Sequence, residues 1–470
     1  MTGYSLDDAL ADAETNAEAL ADLSRSLDGR LVVPGDETYD DARRVWNGAV
    51  DRYPLGIVYA TGPADVRRTL RAARSSDVGV AVRGGGHSGP GLSVTDGGLV
   101  LDVSAMNEVV VDPEAETATV GSGATWADVD AATQRHGLAT PGGVVSETGV
   151  AGLTLGGGTG WLTRPYGLAS DRLTAVDLIT VDGDRVVASA SDNPDLFRAL
   201  QGGGGNFGVV VSFTFDLVSL DHEVAYCEMA YPTGRLEGII AAFRDRHEEF
   251  DRRTTVSPYV APLPDAPSER GVHFLGVHAG PPDEGESILE SLAHLGDPVS
   301  TTVDRLPYTA LQQMLDDDAV EGDRYYWKAI SVPALTTEVI ETFAERAREA
   351  PGARDTALIW PMGGAVADVP PDATAFAHRT DEFVLNFEAA WESPAADETH
   401  RSWVRESVDA IRSLGGEGVL PNFPGDETDE AAARSLYGQN YDWLRDVKTR
   451  WDPDDVLAPS GRIDPHPARK

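Results

Sequence analysis

The stretch Val80-Ala-Val-Arg-Gly-Gly-Gly-His-Ser88 decides how the rest of the chain is interpreted. A short apolar strand leads directly into three consecutive glycines, and a histidine follows them. Glycines in a row let backbone N–H groups converge on one point, as phosphate oxygens require. Arg83 would add a fixed positive fork, and His87 a nitrogen nucleophile where the loop ends. The alternative is a glycine-rich turn beside a surface histidine.

Two further glycine clusters favour phosphate binding. They span Gly149–Gly160 and Gly202–Gly208, and each adjoins β-rich sequence. Three such loops in one half of the chain indicate one long phosphate-bearing ligand, such as a dinucleotide. The Rossmann motif needs a helix after its glycine turn, whereas here Gly97-Gly-Leu-Val-Leu-Asp-Val, another strand, follows. We therefore exclude the Rossmann fold.

Several motifs together make the chain similar to the FAD-linked oxidases of the vanillyl-alcohol oxidase superfamily, in the berberine bridge enzyme-like branch. The similarity covers all but the first ~30 residues, and the motifs are specific only as a set. They are Arg83–Ser88, Asp96–Asn107, Gly156–Asp171, Asp195–Leu200, Gly203–Val210, Arg324–Lys328, Ala373–Arg379 and Asn440–Lys448.

This resemblance implies an α+β fold of two domains. A small β-α-β FAD-binding domain with glycine loops is expected over residues 31–216, closed by 437–470. A substrate-binding domain, a large antiparallel sheet backed by helices, is expected over 217–436. The cofactor-binding positions that the resemblance implies are Arg83, Gly84, Gly85, Gly86, His87, Ser88, Val145, Thr148, Gly149, Gly152, Leu153, Gly157, Gly158, Gly160, Leu168, Asp171, Asn206, Gly208, Val209, Asn440 and Tyr441.

The resemblance also implies how FAD is attached. In the family, a histidine at the position of His87 bonds the flavin 8α-methyl group, and many members add a cysteine bond shortly before the Gly156 cluster. This chain has Val145 there. We expect a single 8α-histidyl link through His87, as in the 6-hydroxynicotine oxidases; the alternative is a histidine packed beside non-covalent FAD.

Three residues are candidates for catalysis. Some family members use a tyrosine in an Asn-Tyr pair as the base. The matching pair here is Asn422-Phe423, so the phenolic base is absent and Asn422 is the candidate at this place. Lys328 follows three aromatic residues, so burial would lower its pKa toward use as a base; it could equally extend past Trp327 to solvent. His378 is a further candidate, on a strand predicted to face the flavin, although a lone histidine is more often structural.

Composition restricts the class of protein. The 470 residues suggest two domains, and the formal net charge of −39 would repel nucleic acid and anionic lipid. Lysine occurs only at 328, 448 and 470. Such a surface is typical of proteins from salt-loving organisms, and we interpret Asp316-Asp-Asp318 as a solvated acidic loop.

Other absences narrow location and chemistry. Cys227 is the single cysteine, so no intrachain disulfide forms, and neither it nor the histidines have a metal-site spacing. No apolar run is long enough for a membrane span, and the acidic N-terminus resembles neither a signal nor a transit peptide. We expect a cytoplasmic protein without a metal; its oligomeric state stays open.

The coarse secondary structure follows from periodicity. Residues 5–27 predict one helix, 56–60 and 78–82 predict strands around a helix at 65–75, and 107–121 predicts a hairpin. Residues 138–160 read as a loop ordered only by a ligand. After residue 217, strands and helices alternate, and 437–450 predicts a last helix.

The function predicted is an FAD-dependent oxidoreductase. It would oxidise a small alcohol, sugar hydroxyl or amine by hydride transfer to flavin N5, with oxygen or another acceptor reoxidising the flavin. The alternatives are a flavin-binding protein that has lost its base and, less favoured, an NAD-linked dehydrogenase.

Overall fold

The computed structural model describes residues 3–263, 266–427, 429–457 and 463–467. The remainder of the predicted closing segment, 458–462 and 468–470 with Lys470, lies outside the described residues. The helices are α1 Leu6–Thr15, α2 Ala17–Ser26, α3 Tyr39–Ala42, α4 Pro63–Ser75, α5 Trp126–Thr133, α6 Val150–Leu155, α7 Thr163–Tyr166, α8 Pro194–Leu200, α9 Leu236–His247, α10 Pro282–Glu290, α11 Tyr308–Leu311, α12 Thr337–Arg348, α13 Asp397–Arg412, α14 Glu430–Tyr437 and α15 Tyr441–Trp451.

The strands form two groups along the chain. Those of the N-terminal half are β1 Arg30–Val32, β2 Gly56–Tyr59, β3 Val80–Arg83, β4 Leu99–Asp102, β5 Val109–Asp112, β6 Thr117–Gly121, β7 Leu138–Ala139, β8 Leu173–Ile179, β9 Arg185–Ser189, β10 Val209–Asp216 and β11 Val218–Ser219. Those of the C-terminal half are β12 Glu223–Pro232, β13 Thr254–Leu263, β14 Ala266–His278, β15 Ser300–Pro307, β16 Arg324–Val332, β17 Thr356–Pro361 and β18 Phe383–Trp391.

The first group builds two sheets of different kinds. In the order β1-β2-β4-β3, strands β2 and β3 lie parallel to β4, so the predicted β-α-β unit is confirmed. Its glycine loop leaves the carboxyl end of β3, the edge where open parallel sheets bind ligands. The second sheet, β5-β6-β10-β8-β9, is antiparallel and contains the predicted hairpin.

The second group forms one antiparallel sheet in the order β15-β12-β14-β13-β17-β18-β16. One face is covered by α9, α12 and α13, whose Phe243, Phe343 and Trp403 share a buried apolar core with strand residues such as Phe387. We call this the helix face. The other face turns toward the N-terminal half: Val384 and Ala329 contact Leu168 and Phe376 in a separate apolar cluster. We call it the cleft face.

The C-terminal segment packs against the first half of the chain. Leu436, Tyr441 and Leu444 belong to the core that contains Trp126, Phe213 and other residues of the second sheet. Val456 and Leu457 belong to the core around β2, α4 and β4. The proposed domain boundaries stay a prediction, but this packing is the reason why the last helices belong with the first half.

A segment from the second half also enters the first. This segment, residues 371–379, is called the strap. Phe376 lies against two glycines: a Cβ on Gly157 or on Gly202 would come within 2.8 Å of it. Arg379, fully buried, donates to both carboxylate oxygens of Asp171 at 3.0 and 2.7 Å. The strap therefore fastens the two halves together.

Local structure differs from the predictions in three places. The helix expected over 5–27 is two helices. Asn16 ends the first of them, and its side-chain amide donates a hydrogen bond to the carbonyl oxygen of Asp12. The loop expected over 138–160 contains α6. The last helix is preceded by α14 and a turn at Gly438–Asn440. No described helix is both apolar enough and long enough to traverse a lipid bilayer.

Candidate flavin site at the junction of the glycine loops and the sheet

Two glycine loops meet backbone to backbone after β3. A Cβ built on Gly85 would lie 2.5 Å from the Gly149 nitrogen, and one on Gly149 would lie 2.4 Å from the Gly85 nitrogen. Gly86 has φ +72°, a region that favours glycine. Gly85 stays exposed, and nothing lies within 4 Å of a Cβ on Gly152. Bare backbone therefore faces open space where a phosphate-bearing group was predicted.

His87 lies directly after this junction, within a group of aromatic rings. Its imidazole stacks on Trp46, with ring centroids 5.1 Å apart, and Trp46 stacks in turn on Tyr325 at 4.0 Å. Burial lowers the pKa of His87 to about 4, although the charge of Asp316 acts in the opposite direction. The imidazole is therefore neutral near pH 7, so one ring nitrogen keeps its lone pair.

The loop before α6 is clamped by a segment of the second half. Asp316 accepts hydrogen bonds from Ser146 N at 2.8 Å and Ser146 Oγ at 2.6 Å. Gln312 donates to buried Asp130 at 3.0 Å and to Gly143 O at 3.1 Å. We call these contacts the loop clamp. The interpretation of Asp316 as solvated is wrong, although Asp317 and Asp318 are exposed.

The loop clamp flanks Val145, the position where the family resemblance implies, in many members, a cysteine that forms a second bond to the flavin. The clamp holds residues 143 and 146 without a covalent bond. Burial raises the pKa of Asp130 to about 7, against the effect of its bond from Gln312. This arrangement could not be predicted from the sequence, because Asp130 and Gln312 are far apart along the chain.

The cleft face of the sheet presents Glu388 above the His87 loop. Glu388 pairs across the strands with Trp327, whose indole packs against Gly89, two residues after His87. Asn386 Nδ2 donates to Glu388 Oε1 at 2.5 Å. Burial raises the pKa of Glu388 to about 7. A carboxyl that titrates near neutral pH beside a cleft is a candidate proton acceptor.

Glu388 was not among the catalytic residues predicted from the sequence. Its signal was the alternation in Phe383–Trp391, where Asn386 and Glu388 are polar residues two positions apart on an otherwise apolar strand. A period of two places both on one face. Which face lines the cleft could be decided only from the neighbouring strands.

The prediction of Lys328 as a base is wrong in its geometry. Lys328 alternates with Trp327 and therefore projects from the helix face, with Tyr326 and Ile330. Its Nζ forms an ion pair with Glu427 at 2.5 Å. The sheet thus separates this amine from the cleft.

His378 also differs from its predicted position. It lies in the strap, outside the strands, instead of on a strand facing the flavin. Its Nε2 lies 2.8 Å from Ser435 O, and its ring fills the space beside Gly418. These contacts explain His378 as a packing residue.

Asn422 connects the two halves at the third predicted catalytic position. Its Nδ2 donates to Leu153 O and its Oδ1 accepts from Gly158 N, both at 3.1 Å. Its amide is therefore committed to the backbone around α6. The geometry gives Asn422 a positioning role instead of a direct one.

Several predicted cofactor residues have protein partners for their side chains. Arg83 donates to Asp102 at 2.6 Å and to Ala42 O at 2.8 Å, so its guanidinium braces the base of the loop, whereas a phosphate fork was expected. Asn440 donates to Pro371 O at 2.8 Å and thereby holds the strap. Asp171 holds Arg379, as described above, and Asn206 donates to Gly203 O at 2.5 Å.

The remaining predicted positions shape the loops. Ser88 Oγ accepts from Leu92 N at 3.1 Å and forms the turn after His87. Gly158, Gly160 and Gly208 are required by close neighbours, since a Cβ would come within 2.6 Å of Leu153, Gly142 O and Leu178 respectively. Thr148 O accepts from Trp126 N, and Leu168, Val209 and Tyr441 are buried. Direct contact of these positions with FAD stays a prediction.

The residues present fit FAD. The junction of Gly85 and Gly149 can approach a pyrophosphate without side-chain interference, and His87 carries a neutral nitrogen at its edge. Trp46, Tyr325 and Trp327 make an apolar, aromatic wall beside it. Glu388 pairs with Trp327 across the strands and is therefore the carboxyl next to this wall.

Comparison with known families agrees with this geometry. Residues 54–189 match the family described as FAD binding domain, which includes β3, the His87 loop and α6. Residues 422–459 match the family described as berberine and berberine like, and this matched segment begins at Asn422.

Known proteins match the chain over most of its length. The uncharacterized FAD-linked oxidoreductase YgaK of Bacillus subtilis is 31% identical over 93% of this chain and 97% of its own. (R)-6-hydroxynicotine oxidase of Paenarthrobacter nicotinovorans is 28% identical over 94% and 97%. A crystal structure of 6-hydroxy-D-nicotine oxidase from Arthrobacter nicotinovorans superposes with TM-score 0.85 at 26% identity, covering 93% of this chain and 98% of that one.

Proposed function

This chain belongs to the berberine bridge enzyme-like branch of the FAD-linked oxidoreductases, and we propose that His87 holds its FAD covalently while Glu388 takes the substrate proton. The protein is an enzyme that oxidises a small organic substrate. When bound, FAD accepts a hydride from the substrate carbon. Attachment of the cofactor and acceptance of the substrate proton are the work of side chains of this chain.

Attachment through His87 is supported by the state of its ring. A bond from a ring nitrogen to the flavin methyl carbon would replace one C–H bond, with two protons released to solvent and two electrons passed to the electron acceptor. It needs a free lone pair on the nitrogen, and the low pKa of His87 provides one at neutral pH. Stacking on Trp46 fixes the plane of the imidazole. A single link is expected, because Val145 carries no thiol.

The single observation that carries the proton step is the placement of Glu388. It is a carboxyl on the cleft face, with a pKa of about 7 and a hydrogen bond from Asn386 that fixes its orientation. Ionised, it accepts the proton of a substrate hydroxyl or ammonium group. A base whose pKa lies near the working pH transfers protons most effectively.

The acceptor for the electrons is proposed to be oxygen or another acceptor, and the substrate an alcohol, sugar hydroxyl or amine. No nucleic acid or membrane is required. We propose two domains: an FAD-binding domain of residues 31–216 closed by 437–470, and a substrate-binding domain of residues 217–436.

Attachment is tested on the purified holoprotein by intact mass and absorbance. We expect a mass that exceeds the polypeptide by one FAD and a yellow colour that remains after acid precipitation. In His87→Ala the colour should wash out with acid, whereas Trp46→Phe should keep the added mass. A wild-type mass equal to that of the bare polypeptide would contradict the covalent link.

Oxidation is tested separately. Substrate panels of amines, alcohols and sugars are added under argon, and bleaching of the flavin absorbance is followed. If no class bleaches a flavin that dithionite does bleach, the chain binds flavin without the proposed activity.

A further inference from the structure

A row of side chains crosses the cleft face of the seven-stranded sheet. The cross-strand pairs are His273 with Tyr259, Tyr259 with Leu358, and Leu358 with Asn386. Neighbouring strands lie about 4.8 Å apart, so the three steps from His273 to Asn386 span about 14 Å. The row begins at Asn386, beside Glu388, and is longer than the reacting group of a substrate alone would need.

Both ends of the row carry a buried acceptor that no described residue satisfies. His273 is 5% exposed and Asn386 3% exposed, yet His273 Nε2 and Asn386 Oδ1 have no hydrogen-bond partner among the described residues. The backbone of Ala261 and Pro262 beside the His273 ring acts to raise its pKa, against the larger lowering by burial, and the Asn386 amide nitrogen donates to Glu388 Oε1. Asn386 Oδ1 is an acceptor, and His273 Nε2 is one in the tautomer that carries its proton on Nδ1, so a ligand with donors at both ends satisfies both atoms.

The middle and the far end of the row differ in polarity. Tyr259 stacks on His273 with centroids 4.9 Å apart, and both Tyr259 and Leu358 are half-buried. The exposed carboxylates of Glu228 and Asp318 act on Tyr259, whose pKa is raised mainly by burial and further by their charge. Arg270 lies near His273, but its guanidinium donates to the carbonyls of Val260, Gly352 and Asp355.

We propose that the row binds an elongated amine with N–H donors at both ends and an apolar middle. Glu228 and His273 bind the end remote from the oxidised carbon, Tyr259 and Leu358 contact the middle, and Asn386 and Glu388 receive the reacting amine. This inference rests on the proposed function and assigns its substrate class.

The chemistry of the row distinguishes this class from an oligosaccharide. A sugar chain carries hydroxyls along its whole length and would need polar partners at the centre, where Leu358 stands. Ammonium groups at the ends match the carboxylates there, and charged hydrogen bonds are the stronger kind.

The test measures binding without turnover. Holoprotein reduced by dithionite under argon cannot oxidise an added amine, so calorimetry reports affinity alone. The probes are α,ω-diamines of increasing chain length and monoamines of the same length. We expect long diamines to bind about tenfold more tightly than matched monoamines, the effect of one charged hydrogen-bonded contact.

Variants decide whether the far end is responsible. Glu228→Gln and His273→Phe should remove the advantage of the second amine, and Glu223→Gln, an exposed change at the start of the same strand, should keep it. Glu228 is exposed, so its replacement should fold even if the His273 variant does not.

Three results would overturn the inference: equal affinity for diamines and monoamines, an advantage that survives Glu228→Gln, or binding of cello-oligosaccharides that depends on His273. The proposed function fails separately, when no donor bleaches the oxidised flavin, because calorimetry on the reduced protein does not depend on oxidation.

Discussion

On the helix face of the seven-stranded sheet, Ile359 and Phe387 are fully buried, whereas their strand neighbours on the cleft face, Leu358 and Glu388, stay half-buried. The same strands supply both faces, since side chains alternate with period two. The helix face contains a close-packed apolar core. The cleft face contains the buried atoms of His273 and Asn386 for which the described part of the chain supplies no hydrogen-bond partner, and the carboxyl with the raised pKa. Stability and chemistry are thus assigned to alternate residues of one set of strands.

The largest effect is expected from the cleft face. Glu388→Gln removes the proposed proton acceptor while keeping its size, so flavin reduction by substrate should slow by about 10²–10⁴-fold. Stopped-flow absorbance under argon measures the rate. Glu392→Gln, an exposed change just after the same strand, should reduce flavin at the wild-type rate.

The pH dependence sharpens the same assignment. The base works ionised, and burial places its pKa near 7, so the wild-type rate should rise with pH through about 7 and then level. The Glu388→Gln variant should lose this rise. A variant that retains both the rate and the rise would remove Glu388 from the mechanism.

The next largest effect is expected from the helix face. Phe343→Ala empties a fully buried position between α12 and β18 and should lower the free energy of unfolding by about 3–5 kcal/mol. Leu358→Ala on the cleft face, where the side chain is only half-buried, should cost much less. Urea denaturation of both variants measures the difference, and equal losses would show that the two faces are not divided as described.

The smallest effect is expected at the loop clamp. Asp316→Ala removes two hydrogen bonds to Ser146, so local opening of residues 143–148 should become more favourable by about 1–3 kcal/mol. Hydrogen–deuterium exchange of this segment should quicken accordingly. Asp317→Ala alters the exposed neighbour and serves as the control; equal exchange in both variants would contradict the clamp.

Much of the first half could be predicted from sequence, because its signals are local. The glycines after β3, the β-α-β unit and the hairpin at β5 and β6 each depend on residues within a short window. The fold class was predicted from the family resemblance, and the comparisons confirm the fold class and the family. The loop at 138–160 was partly mispredicted, since α6 contains glycine and depends on tertiary contacts.

The site in the second half depended on long-range pairing. Lys328 and Trp327 are adjacent in sequence, and only the pairing of β16 with β18, about sixty residues later, decides which one reaches the cleft. The aromatic neighbours of Lys328 suggested a desolvated amine, but side chains alternate along β16, and Lys328 projects from the helix face, away from the cleft. Glu388 was overlooked because a single carboxyl on a strand resembles any solvent-facing residue until its neighbours are known.

The strap has a consequence for biogenesis. Gly157 and Gly202 are synthesised long before Phe376, which fills the space beside both, and before Asn440, which anchors residues 371–374. Ribosomes release a chain from its N-terminus onward, so the early loops emerge without their later neighbours. We therefore expect flavin capture to follow synthesis of the strap, so that a ribosome-bound nascent chain stalled before residue 376 should carry no flavin.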